Sequence, residues 1–168
     1  MVNLTKISFG GASAIVTSIG LIVGAAAART PRPTIVAMLL IIALADNLTD
    51  ALSIHIYQEA ERLEGRRAFA ATVGNFATRL ATCGTFLFLI VALPGVYAVA
   101  GSLAWGIFLL SALTWLVAQS RGANPALEMC KHLAVALVVI AVSQGIGMLI
   151  LGFAPGTPLQ LPWDVLPS

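Results

Sequence analysis

Five long apolar stretches, interrupted only by short polar, glycine or proline breaks, dominate this chain. They run over about residues 7–28, 34–64, 69–93, 96–118 and 125–153. A helix rises about 1.5 Å per residue and crosses the roughly 30 Å hydrocarbon layer in about 20 residues, so each stretch is long enough to span a bilayer. The expected fold is an all-α integral membrane protein with five transmembrane helices. Composition excludes a water-soluble alternative: 59% of the residues are hydrophobic and 10% charged, with a mean hydropathy of +0.97, whereas soluble domains carry about 25% charged residues. Residues 1–154 read as one five-helix transmembrane domain and 155–168 as a Pro-rich tail. Cys83 and Cys130 fall on different apolar stretches, a placement that suits packing residues rather than a disulfide or a paired metal site.

The breaks give the connections. Pro31 and Pro33 punctuate the first loop, and Pro94-Gly95 closes the third span. The second stretch contains no helix breaker from Thr34 to Glu64, so one helix is expected to run past the membrane surface and stop at Gly65. Lys6, Arg62, Arg66, Arg67, Arg121 and Lys131 fall on the side of the N-terminus, and only Arg29 and Arg32 on the other. Because Lys and Arg are retained in the cytoplasm, the N-terminus is expected to be cytoplasmic. The C-terminal tail then lies on the opposite, non-cytoplasmic side, with Trp163 a candidate for the headgroup layer. The expected location is multi-pass in a bacterial inner (plasma) membrane, with the lipid bilayer as the main partner.

The second stretch also holds the most informative polar residues. At about 100° per residue, Asp46, Asp50, Ser53, Tyr57 and Glu64 share one stripe, with Thr49 and Glu61 at its margins. A charge at membrane depth costs several kcal/mol unless paired, protonated or hydrated, so Asp46 and Asp50 must face protein or water. Such a file of oxygen ligands suits hard or borderline divalent cations such as Mn²⁺ or Fe²⁺, or a proton relay. A structural ion pair is the plain alternative, and a partner stands ready: Arg79 on the third span is expected at a depth between Asp46 and Asp50. Thr72, Asn75 and Arg79 share a helix face there, which would make a polar seam without any transport. His55 lies opposite the carboxylate stripe and His132 near the start of the fifth span, and both read as interfacial or hydrogen-bonded histidines rather than ligands.

On the first span Ser13, Thr17, Gly20 and Gly24 repeat at helical spacing and form a small-residue face with a GxxxG element. Such a face serves close packing within a subunit, a homodimer, or a groove in which Ser13 and Thr17 line an ion pathway. Ser143, Gln144, Gly145 and Gly147 form a weaker packing cluster on the fifth span. The sequence shows no nucleophile with an adjacent base, no phosphate loop and no redox motif, so neither an enzyme nor a nucleic-acid-binding protein is expected. No tightly bound cofactor is expected either.

The order of these features resembles the vacuolar iron transporter family, five-helix transporters that move Fe²⁺ or Mn²⁺ in exchange for protons. Gly10 through Gly24 is similar to that family's first helix, and Ala45 through Glu61 sits where its second helix carries a small-residue and methionine motif. Arg121-Gly122, Pro125-Ala126-Leu127-Glu128-Met129 and the closing Gly145-Ile146-Gly147-Met148-Leu149-Ile150-Leu151-Gly152 resemble its last loop and fifth helix. There are departures. Ser13-Ala14 stands where the family has an aspartate before glycine, and Asp50 where its second helix offers methionine. The glutamate-rich cytoplasmic insertion is reduced to Glu59, Glu61 and Glu64. The resemblance implies a dimeric transporter of a divalent metal, Fe²⁺ or Mn²⁺. In that reading Asp46, Asp50, Ser53, Tyr57, Glu61 and Glu64 form the path and Arg79 is the ion-pair partner. The competing expectation is a structural or accessory membrane protein in which Asp46, Asp50 and Arg79 form a closed seam.

Overall fold

The computed structural model describes the backbone over residues 4–60 and 65–153, and side chains over 10–57, 69–70 and 72–153. The described chain is helical throughout: α1 (Leu4–Ala27), α2 (Arg32–Ile41), a π-helical turn (Ile42–Asp46), α3 (Asn47–Ala60), α4 (Gly65–Ala92), α5 (Gly95–Ser120) and α6 (Pro125–Phe153). No strand occurs among the described residues. Ile41, Ile42 and Asn47 all keep right-handed helical dihedrals, so α2, the π turn and α3 form one continuous rod. Among the described residues, five helical segments are long and apolar enough to cross a membrane: Gly10–Ala27, Arg32–Tyr57, Thr72–Ala92, Gly95–Ser120 and Pro125–Phe153. They coincide with the five stretches expected from the sequence.

Local chemistry sets the connections. At the end of α1 the Arg29 and Thr30 amides return to the Ala26 and Ala25 carbonyls, a Schellman closure in which Arg29 adopts φ 55°. Pro31 and Pro33 then open α2, where a proline costs no helical hydrogen bond. The same closure recurs after α5, with Gly122 at φ 68° and the Ala123 amide on the Ala118 carbonyl. Asn124 caps α6 by accepting from the Ala126 and Leu127 amides. Helix α4 is described from Gly65 onward, and the expected end of the preceding helix at Glu64 lies among residues 61–64, outside the described residues. The 155–168 tail with Trp163 and the glutamates Glu59, Glu61 and Glu64 lie outside the described residues or side chains.

The bundle is built around α1, which packs on α2, α4, α5 and α6. Ile15, Ile19 and Ile22 of α1 meet Leu39 of α2, Phe86 and Ile90 of α4 and Leu110 of α5 in one buried apolar core. Half of the α1 span is buried against 11% of the α6 span, which makes α1 the central rod and α6 a peripheral one. The outer faces carry exposed Ile41, Leu44, Phe88, Leu137, Val138 and Leu149, an arrangement that water would penalise and lipid accepts.

The glycines of α1 are used inside this bundle. A Cβ on Gly20 would stand 2.9 Å from Val139, one on Gly24 3.1 Å from the Ser143 carbonyl, and one on Gly147 2.3 Å from the Gly24 carbonyl. The Gly20/Gly24 face is therefore sealed by α6 of the same chain. Of the uses expected for this face, Gly20 and Gly24 serve close helix packing within one chain. Ser143 and Gly147 belong to that contact, whereas Gly145 faces away from it, with nothing within 4 Å of a Cβ placed there.

Candidate functional site

One hydrogen bond at the end of the bundle fixes the depth at which the polar residues meet. Near one end of the bundle the Arg32 guanidinium donates to the Val91 carbonyl at 2.5 Å, placing the start of α2 beside the end of α4. From that end, Asp46 and Arg79 each lie about 20 Å along their helices, and Ser13 lies about as far from the end of α1. The three residues thus reach a common depth, well inside the apolar spans.

There Arg79, 2% exposed, is held by three acceptors. One terminal nitrogen donates to Asp46 at 2.5 Å, and the other to Asp50 and to the Ser13 hydroxyl, the latter at 2.9 Å. The two aspartates come from the two sides of the junction between the π turn and α3, one helical turn apart, so a single guanidinium reaches both. Their own burial is incomplete: the side chain of Asp46 is 47% exposed and that of Asp50 33%. One guanidinium is thus shared by two carboxylates. Removing one partner from a buried ion pair costs about 3–5 kcal/mol, because the survivor is left uncompensated.

The way α3 presents these residues departs from the expected stripe. Among the described residues it packs on α4 alone of the other α-helices, and its inward face is Asn47 and Ala51, both buried, followed by half-buried Ile54 and His55. Asp46 and Asp50 flank that face and reach round it to Arg79. Ser53 and Tyr57, one and two turns further on, stand exposed on the outside of the single chain. The Ser53 hydroxyl donates to the Thr49 carbonyl and the Thr49 hydroxyl to the Ala45 carbonyl, both at 2.9 Å. The expected oxygen path is thus brought together at Asp46 and Asp50 and leaves the protein at Ser53. Thr17 is half-buried and stands outside the Arg79 cluster, and Glu61 and Glu64 lie outside the described residues.

Asn47, Ser18 and the π turn at the site were not singled out from the sequence, whereas Asn75 was. Asn47, fully buried, donates from its amide to the Phe76 carbonyl at 2.9 Å and ties α3 to α4. Ser18 approaches the Cys83 thiol at 3.8 Å one turn beyond Arg79. The π turn ending at Asp46 is a third; such turns recur at functional positions because the extra residue re-aims the helix that follows. Asn75, one turn before Arg79, is buried, and neither its amide nitrogen nor its oxygen has a protein hydrogen-bond partner. Elsewhere, His132 bonds the Glu128 carbonyl at 2.8 Å, as an interfacial histidine does.

The arrangement can hold a cation between two carboxylates, since each accepts one hydrogen bond from Arg79 and a carboxylate offers about four lone-pair sites. No cluster of three or more His, Cys, Asp or Glu side chains suited to a metal occurs among the described residues. Compared with known protein families, with curated proteins and with solved structures, the chain finds no match.

Proposed function

We propose that this chain transports a divalent metal cation, Fe²⁺ or Mn²⁺, in exchange for protons, with Asp46 and Asp50 as the ion-handling carboxylates. The observation that supports this reading most is that two carboxylates, Asp46 and Asp50, share a single guanidinium within the apolar spans and are both partly exposed. One guanidinium matches one carboxylate, so the second has use for another cation. A proton and a metal ion compete for it, and binding of the metal releases the proton, which couples the two flows. Ser13 contributes its hydroxyl to the triad. The choice of metal rests on the resemblance of the sequence to the vacuolar iron transporters and on the all-oxygen character of the acceptors.

A half-exposed aspartate cannot be left to lipid, so a homodimer in this reading covers the α2–α3 face rather than the glycine face of α1. Two such faces together enclose four carboxylates and two arginines. Ser53 and Tyr57, exposed in the single chain, then line the shared groove and lead toward Glu61 and Glu64.

A second reading has one observation of its own in favour. Arg79 is engaged by three acceptors at once, which suits a permanently closed structural seam. A flux assay in proteoliposomes separates the two. Wild type is expected to exchange Mn²⁺ or Fe²⁺ for protons, and Asp46→Asn/Asp50→Asn at matched insertion to lose at least about tenfold of the flux, a loss equal to about 1.4 kcal/mol or more in the barrier. Absence of flux in wild type, or flux that survives both substitutions, sinks the transport reading.

A further inference from the structure

Transport through the triad has one obstacle: a cation can take the carboxylates only if the Arg79 guanidinium lets go, and a released guanidinium at this depth needs other acceptors. The chain places one within a turn. Asn75 precedes Arg79 by four residues on α4, and both are 2% exposed. Helical side chains lean toward the N-terminus of their helix, over the residues three and four positions back, so the ordinary direction for Arg79 is onto Asn75. Gly10 of α1 makes the room: a Cβ there would lie 2.1 Å from Asn75 Oδ1 and 3.1 Å from Arg79 Cγ, so both side chains pack against the same bare point of the α1 backbone.

Asn75 Oδ1 and Nδ2 have no protein partner, and Arg79 Nε has none either. An apolar side chain of the same size would fill this position without a buried unpaired amide, so the asparagine is costly in the state described here. The cost is recovered if another state uses it.

We infer that Asn75 is the alternate acceptor of Arg79: when a cation neutralises Asp46 and Asp50, the guanidinium withdraws toward its own helix and bonds the Asn75 side-chain oxygen, keeping Ser13 as its other neutral acceptor. Asn75 is thus a positioning residue for the proposed exchange. It never touches the transported ion, and it sets how readily the arginine yields the site. This rests on the transport reading for its purpose, but the coupling between Asn75 and Arg79 exists whether or not an ion moves.

The coupling is measured without any metal. Thermal unfolding in detergent is compared for wild type, Asn75→Leu, Asp46→Asn/Asp50→Asn, and the three substitutions combined. Replacing both carboxylates by neutral amides mimics their neutralised state. With the carboxylates present, Asn75→Leu is expected to leave the melting temperature unchanged or raise it, since it removes an unpaired amide. With them neutralised, the same change is expected to lower it by about 5 °C, the loss of a hydrogen bond to a charged group. Equal shifts in the two backgrounds overturn the proposal and make Asn75 an ordinary packing residue. Should the double variant fail to insert, Asp50→Asn alone serves as the background, with the same two outcomes. A wild type without Mn²⁺ flux, by contrast, overturns the transport reading and leaves this coupling standing.

Discussion

Two seams meet on α1, and they hold neighbouring helices by opposite means. Against α6, Gly20 and Gly24 present no side chain, and Gly147 of α6 settles onto the Gly24 backbone. Against α4, the Ser13 hydroxyl joins Asp46 and Asp50 of the neighbouring rod in holding a buried arginine. The first seam depends on shape alone. Lipid tails are as apolar as the helices, so what favours association there is close dispersion contact. The second depends on charge, and its strength changes whenever a proton or a cation reaches either carboxylate.

The largest expected effect tests the charged seam. Arg79→Leu leaves Asp46 and Asp50 facing each other without a counter-charge, and a loss of about 3–5 kcal/mol in unfolding free energy is expected, read by denaturant titration in detergent. Adding Asp46→Asn and Asp50→Asn to Arg79→Leu is expected to recover most of that loss, since neutral groups replace the whole network. If the triple variant is as unstable as Arg79→Leu alone, the seam is held by packing and the contrast between the two seams collapses.

The shape-dependent seam is expected to respond less strongly. Gly147→Ala places a methyl 2.3 Å from the Gly24 carbonyl and 2.7 Å from the Ala27 side chain, and the first of these neighbours is backbone that cannot swing aside. Helix α6 must move outward, at a cost of about 1–3 kcal/mol. The penalty is expected to be the same in wild type and in Asp46→Asn/Asp50→Asn, because the two seams share no side chain. A penalty that depends on the carboxylates would show instead that the seams are mechanically joined through α1.

What the sequence disclosed follows the same division. The spans were legible because apolar length needs no partner to be recognised, and Arg79 was legible as the neighbour of Asp46 and Asp50 because depth along a helix can be counted. Which face meets which neighbour was not. The glycines of α1 announce close approach but do not say to what, and α6 proved to be the answer. The stripe through Ser53 and Tyr57 was read from a periodicity that is real, yet α3 turns Asn47 and Ala51 toward α4 instead. The π turn ahead of Asn47 has no sequence signature, since its extra residue is accommodated by backbone bonding and not by residue type. Asn75 was visible beside Arg79 on one helix face, but its lack of a partner is a property of the packed state.

The smallest expected effect is the sharpest control on the shape-dependent seam, because it falls two residues from its centre. Gly145 lies on α6 within the same span as Gly147, and a Cβ built there meets nothing within 4 Å. If glycine content alone fixed how closely α6 approaches α1, Gly145→Ala would cost as much as Gly147→Ala. The geometry says otherwise: the methyl points away from the bundle, and alanine restricts the unfolded chain and favours the helix more than glycine does. A change between zero and about 1 kcal/mol of stabilisation is expected in detergent unfolding. The same substitution also tests the proposed homodimer. A homodimer that covers the α2–α3 face leaves Gly145 in lipid, so Gly145→Ala should leave the dimer fraction in detergent unchanged, read by cross-linking or by sedimentation. A fall in that fraction with the monomer fold intact would move the dimer contact onto α6, away from Asp46 and Asp50, and would sink the shared groove of the proposed transporter.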